Sequence, residues 1–318
     1  MRKEDILIEK HMKRNTYTES AFDRLPLSIL EMSETEHPQA AILFIHGLCG
    51  RKERKIDAME YLAGKGFACV GYDLRGHGES IRSEEDRGYT NQGGARAMAL
   101  DIGSVVDKVK KDFKDAPIYI VAHSMGSLAA RTYLKEHDTA IKGMIICGSP
   151  SKNRYNALGR SLMWLISLVN DGRVKIGRFQ EAASRFYNKA FRNEGRMAWT
   201  CSDPQVRERF SKDAKCNITI TAVCSLTLLQ MMEETYSIKG WRTANPSLPL
   251  LFISGVDDPC MIDVPRFHAS AGFLNKVGYT NVSSILFPEM RHEVLNEKGR
   301  EMVWDEILHF VEKQLATA

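Results

Sequence analysis

Short unbroken apolar runs alternate along this chain with longer stretches in which apolar residues recur at helical spacing. The runs fall at 40–45, 68–72 and 117–122, and further strands are read at 141–146, 248–254 and 282–286, where Lys142, Ser254 and Ser283-Ser284 interrupt the apolar residues. Strands covered on both faces read this way, without the in-out alternation of a half-solvated sheet. Between and after them the pattern predicts helices over 56–62, 95–113, 128–134, 265–277 and 301–314. Strand–helix alternation of this kind builds a parallel sheet with helices on both faces, an α/β architecture. Two earlier stretches, 6–12 and 27–32, read as an opening antiparallel pair joined by a polar connection. The alternation stops after Pro150 for about a hundred residues rich in Arg, Trp, Phe and Met, and resumes near Leu248. That divides the chain into 1–150 and 246–318, which form one core, and 151–245, a helical insertion. The insertion is expected over the C-terminal edge of the strands, where such sheets bind ligands.

Charge changes this picture in one place. The 318 residues carry a net +4, too mild for a dedicated nucleic-acid binder. Residues 151–245, however, hold 16 lysines and arginines against 8 acids, a net of +8, which leaves −4 on the remainder. Beneath those bases lies an apolar set, Leu162, Met163, Trp164, Leu165, Leu168, Leu228, Leu229, Met231 and Met232. A basic cover with an apolar underside suits an amphiphile with an anionic head, and offers peripheral contact with a membrane surface; a solvated helix face accounts for the same bases. The seven cysteines are scattered, odd in number and free of C-x-x-C pairs. They predict reduced thiols in a cytoplasmic protein, with no disulfide framework or zinc site. Neither a secretory leader nor a membrane span is expected from the sequence, and no obligate protein partner is evident.

The candidate chemistry sits at 116–134. A short apolar strand runs without a spacer into His123-Ser124-Met125-Gly126-Ser127, and a helix rich in small residues follows. A serine pinched between a buried strand and a helix start is a nucleophile elbow, lifted out of the sheet in front of a helix N-terminus. Its hydroxyl becomes a nucleophile only when a base takes the proton and a third group holds the base. His292 lies between the last strand and the last helix, at the correct sheet edge. His11, His37, His137 and His309 fall on early strands, linkers or helix surfaces. His123 is adjacent to Ser124 but points away from it, and His77 reads as structural. Asp257 and Asp258 both follow the 248–254 strand, so either could be the acid, and the order Ser, Asp, His suits this arrangement. Oxyanion donors would be the backbone N–H groups of Met125 and, from the loop after the 40–45 strand, Leu48. Cys49 and Cys260 lie beside that loop and the acid, as pocket-lining thiols or as small packing residues.

Five motifs in order, His46-Gly47, Tyr72 to Ser80, Ala122 to Gly126, Gly255 to Pro259 and Arg291-His292-Glu293, resemble the α/β-hydrolase superfamily, in particular its monoacylglycerol lipase and lysophospholipase-like group. The 187–191 and 199–204 segments of the insertion also look familial, so the resemblance covers roughly 25–315. One departure is Ala122, where many members carry glycine. The resemblance implies a mostly parallel eight-stranded sheet with a helical cap. It selects Asp258 as the acid, three residues after Gly255. It implies a serine hydrolase acting on lipid-like esters, a monoacylglycerol or lysophospholipid, without metal or organic cofactor. Amide or peptide hydrolysis of the proline-iminopeptidase kind is the alternative on the same fold, and a non-catalytic binding protein a more distant one.

Overall fold

The computed structural model describes residues 12–317. Eight strands form one sheet in the order β1-β2-β4-β3-β5-β6-β7-β8: β1 Met12–Glu19, β2 Pro26–Ser33, β3 Ala41–Ile45, β4 Ala68–Tyr72, β5 Ile118–His123, β6 Gly143–Cys147, β7 Leu250–Gly255 and β8 Val282–Phe287. Pairing is parallel from β4 through β8 and antiparallel at β1–β2 and β2–β4.

The unbroken apolar runs follow from the two covered faces. In β3, Ala41, Leu43 and Ile45 enter one core, and Ile42 and Phe44 the other. The first core is closed by α2 (Gly94–Asp112), α3 (Met125–His137) and α8 (Val264–Lys276). The second is closed by α1 (Ile56–Ala63) and α9 (Glu301–Leu315). Burying such side chains from both faces contributes on the order of 1.5–3 kcal/mol each.

The opening strand differs from expectation. The 6–12 stretch lies outside the described residues except for Met12, and β1 instead occupies the polar segment read as a connection. A polar strand forms there because it is an edge held by cross-strand pairs. Arg14 and Thr16 both hydrogen-bond the buried Glu31 carboxylate of β2, at 2.6 and 2.9 Å. No apolar periodicity marks such a strand.

Residues 151–245 hold four helices, α4 (Asn156–Ser167), α5 (Gly177–Tyr187), α6 (Pro204–Lys212) and α7 (Ala222–Thr235). A lone Lys175–Thr221 bridge is their only β pairing among the described residues. Helix α7 packs on α2 and α3 as well as on α4, and so roots this segment in the first core.

Candidate active site

Ser124 is the single residue between β5 and α3, with φ 52° and ψ −120°. Its N–H donates to Cys147 O on β6 at 2.9 Å, while its carbonyl accepts from the Ser127 and Leu128 N–H groups. A turn this sharp demands close approach at the next position but one. A Cβ on Gly126 would stand 2.4 Å from His46 O. Ala122 is wholly buried and accommodated in β5, so the departure from glycine there costs the turn nothing. Positive φ in a residue with a Cβ stores about 1–3 kcal/mol. Ser124→Gly is therefore expected to raise unfolding stability by about 1 kcal/mol while removing the hydroxyl. Urea denaturation of both proteins measures this, and a less stable variant would show the elbow to be unstrained.

The hydroxyl meets its partners across the C-terminal sheet edge. His292 Nε2 lies 2.9 Å from Ser124 Oγ, and His292 Nδ1 lies 3.1 and 3.0 Å from the two Asp258 oxygens. A carboxylate only accepts, so Nδ1 carries the proton and Nε2 is free to accept from the serine. Asp258 is buried and also accepts from Ser254 Oγ and Cys260 N–H, both at 2.8 Å. Burial pushes the Asp258 carboxyl upward, but the His292 charge and these hydrogen bonds outweigh it and hold it below its ordinary range. Burial likewise pushes His292 down, and the Asp258 charge carries it well above 6.5. Asp257 is exposed, its backbone N–H donating to Met290 O, and takes no part in the cluster.

The other candidates fall around this centre. His123 points away from Ser124. Its Nε2 donates to the His292 carbonyl at 3.0 Å, and burial keeps its pKa well below 6.5. His77 is fully buried against the Arg75 carbonyl and lines no part of the site. In the loop after β3, Leu74 N–H donates to His46 Nε2 at 3.0 Å, so His46 Nδ1 must donate to Gly47 O, 2.7 Å away. That bond fixes the peptide leading into Leu48. Leu48, Met125, Ser124 and His292 border one cavity of about 1450 Å³. Met125 opens α3, where the N–H has no intrahelical acceptor. Both Cys49 and Cys260 reach this cavity, yet burial raises each thiol, Cys49 to about 12, which keeps them protonated and weakly reactive.

The roof corrects the sequence reading in part. Met163, Leu228, Leu229 and Met232 border the cavity. Met231 is buried in the core, and Leu162, Trp164, Leu165 and Leu168 face outward and exposed. Helix α4 is apolar on most of its circumference, so its sequence cannot reveal which side is inward.

Sequence reasoning missed the aromatic contact on the histidine. Trp199 lies 5.2 Å, centroid to centroid, from the His292 ring, and Tyr187 lies 5.0 Å from Trp199. Arg291 and Glu293, beside His292, tie that loop to the roof. Arg291 pairs with Glu194, donates to Ala198 O at 2.7 Å and covers the Phe191 ring. Glu293 pairs with Arg54, and its N–H donates to Thr200 O at 2.7 Å. Quoted only as familial pieces, 187–191 and 199–204 carried this signal.

The chain is 29% identical over 117 residues to the lysophosphatidylserine lipase ABHD12 of Gallus gallus, covering 35% of this chain and 28% of that protein. It is 30% identical over 112 residues to the monoglyceride lipase of Mus musculus, covering 34% of each. The match thus spans about a third or less of these relatives' length. Among solved structures, a thermostable carboxyl esterase from Bacillus coagulans superposes with a TM-score of 0.84, over 96% of this chain and 99% of that one, at 21% identity. The model of the family described as serine aminopeptidase, S33, matches residues 36–299, from before β3 to the turn before α9. With that span the chain belongs to the serine aminopeptidase S33 family of α/β-hydrolases.

Proposed function

We propose that this protein is a serine hydrolase that cleaves carboxylic esters of amphiphiles, with Ser124 as nucleophile, His292 as general base and acid, and Asp258 as the group that orients His292. The observation that carries the reading is the hydrogen-bonded series Ser124 Oγ–His292 Nε2 and Nδ1–Asp258 on the floor of a roofed cavity. His292 would take the Ser124 proton as Oγ attacks the ester carbonyl, then give it to the leaving alcohol. Water repeats the sequence on the acyl-enzyme. The Leu48 and Met125 N–H groups would hold the oxyanion. In this reading residues 151–245 are a cap on the core 1–150 and 246–318.

Charge around the cavity favours an anionic ester over an amine-bearing peptide. Its four bordering carboxylates, Glu181, Glu194, Glu208 and Glu293, are each paired with a cation, Arg185, Arg291, Lys212 and Arg54. An aminopeptidase needs a carboxylate for the substrate's ammonium. Arg178, Arg192 and Arg196 border the same cavity with no acid partner among the described residues. Of the relatives' names, lysophosphatidylserine lipase points to an ester with an anionic head and monoglyceride lipase to an uncharged one. Hydrolysis of lysophosphatidylserine, monoacylglycerol and an N-terminal proline anilide should be compared. The esters are expected to be cleaved and the anilide not, with lysophosphatidylserine alone slowed by salt and by Arg192→Gln/Arg196→Gln. Faster cleavage of the anilide would make the protein a peptidase.

The outer face of α4 fits a membrane surface. Leu158, Leu162 and Leu165, spaced four and three apart, form an exposed stripe, with Leu158 73% and Leu165 59% exposed, and Val169 is exposed beyond the helix end. The stripe lies on the basic segment whose arginines border the cavity. We expect the protein to sediment with anionic vesicles, and Leu158→Ser/Leu165→Ser to weaken that about tenfold without slowing hydrolysis of a soluble short ester. Equal sedimentation of both proteins would exclude this face. Among the described residues no helix is long and apolar enough to cross a membrane.

A further inference from the structure

Arg131 on α3 is buried to 0% exposure, and among the described residues no carboxylate lies within ion-pair distance of it. Arginine keeps its charge in proteins, and an uncompensated buried charge is costly. Two aromatic faces offset part of that cost, Tyr236 at 4.8 Å and Phe252 at 5.7 Å from the guanidinium carbon. Its Nε and Nη1 have no partner among the described residues. The bond that directs it is Nη2 to Ser149 Oγ, 2.8 Å; the Tyr236 hydroxyl is farther, at 3.5 Å.

From Ser149 the bonds lead to the elbow. Ser149 Oγ and Ser127 Oγ are 2.8 Å apart, and Ser127 Oγ is 2.6 Å from the Ser124 carbonyl oxygen. Ser127 Oγ is placed to donate to either Ser149 Oγ or the Ser124 carbonyl, and its single proton takes the shorter contact, to Ser124 O. Ser149 must then donate to Ser127, and Arg131 to Ser149. Every donor in the series points the same way, from a fixed positive charge to one carbonyl. That carbonyl belongs to the Ser124–Met125 peptide, whose other end is the Met125 N–H.

We infer that Arg131, acting through Ser149 and Ser127, is a positioning residue that holds and polarises the Ser124–Met125 peptide, making the Met125 N–H a stronger donor to the oxyanion. Drawing electron density toward the carbonyl oxygen acidifies the N–H across the amide, and aligned hydrogen bonds strengthen one another in a low-dielectric interior. The interaction grows as the oxyanion forms, so it acts on the transition state more than on bound substrate. The inference rests on the proposed roles of Ser124 and Met125.

Ser127→Ala and Ser149→Ala each cut the series with a small change of volume, and Arg131→Met removes its source. For p-nitrophenyl butyrate each serine variant is expected to lose about fivefold in kcat with KM within about twofold. The rate of Ser124 labelling by a fluorophosphonate should fall in parallel. The double variant should be no slower than the worse single, because both cuts break one series. Wild-type rates in the folded serine variants, or losses that multiply in the double variant, would overturn the inference while leaving the nucleophile in place. Absence of labelling at Ser124 in the wild type would remove the nucleophile and the inference together. Arg131→Met is read only beside the serine variants, since it can lose stability on its own.

Discussion

Replacing Ser124 with alanine is expected to lower kcat for ester hydrolysis by on the order of a millionfold. The variant keeps the Cβ and therefore the same backbone strain at φ 52°, so the elbow and the fold should persist. What disappears is the oxygen 2.9 Å from His292 Nε2, the only hydroxyl among the described residues that hydrogen-bonds that nitrogen. Binding is not expected to suffer, because the cavity walls from α4 to α7 are untouched. Turnover at steady state, with affinity for a non-hydrolysable ether analogue and the melting temperature as controls, gives the answer. A loss below about a hundredfold in a folded variant would mean another group attacks the ester.

Asp258→Asn should be the next most damaging change, lowering kcat by about ten-thousandfold. The reason lies in the proton inventory of His292. The Asp258 carboxylate can only accept, which fixes the proton on Nδ1 and leaves Nε2 as the base. An asparagine can turn its NH₂ toward Nδ1 and so favour the tautomer with the proton on Nε2. That form cannot take a proton from Ser124. Asp257→Asn, one residue away on an exposed side chain, is expected to behave as wild type.

The pH profile carries a sign that separates the electrostatic role from simple damage. His292 works as a base in its neutral form, and its pKa is raised well above 6.5 because the Asp258 charge outweighs burial. Wild-type kcat/KM should therefore fall as pH drops through a value above 6.5. Without the carboxylate charge, burial is opposed chiefly by the neighbouring Cys260, and the histidine falls relative to wild type. The residual activity of Asp258→Asn should keep its acid limb at a lower pH than wild type. A limb that stays put, or moves up, would assign the damage to geometry alone.

The extent to which this was readable from the chain differs by element, for physical reasons. Strands β3 to β7 were legible because burial on both faces keeps the runs apolar but for His123 and Ser254 at their ends, and Ala68–Tyr72 falls on its predicted bounds. Strand β1 was not, since it is held by Arg14 and Thr16 on Glu31 rather than by apolar contact. The cluster of Ser124, Asp258 and His292 was readable because the topology brings the ends of β5, β7 and β8 to one edge. The choice of Asp258 over Asp257 came from the family spacing; in the structure Asp258 is the buried one of the two. The contact of Trp199 on His292 was not readable, because it joins positions 93 apart through an irregular loop that no periodicity marks. Helix α4 failed for the opposite reason. Its apolar positions surround the helix, and only Met163 among those singled out there turns toward the cavity.

The central claim, that Ser124 is an activated nucleophile, is tested most directly by reacting the wild-type protein with a fluorophosphonate and mapping the adduct by peptide mass spectrometry. The account predicts one phosphonyl group, on Ser124, formed rapidly at pH 8 and slowly at pH 5, and none in Ser124→Ala. An adduct on a different residue, or none on a folded protein with an open cavity, would contradict it.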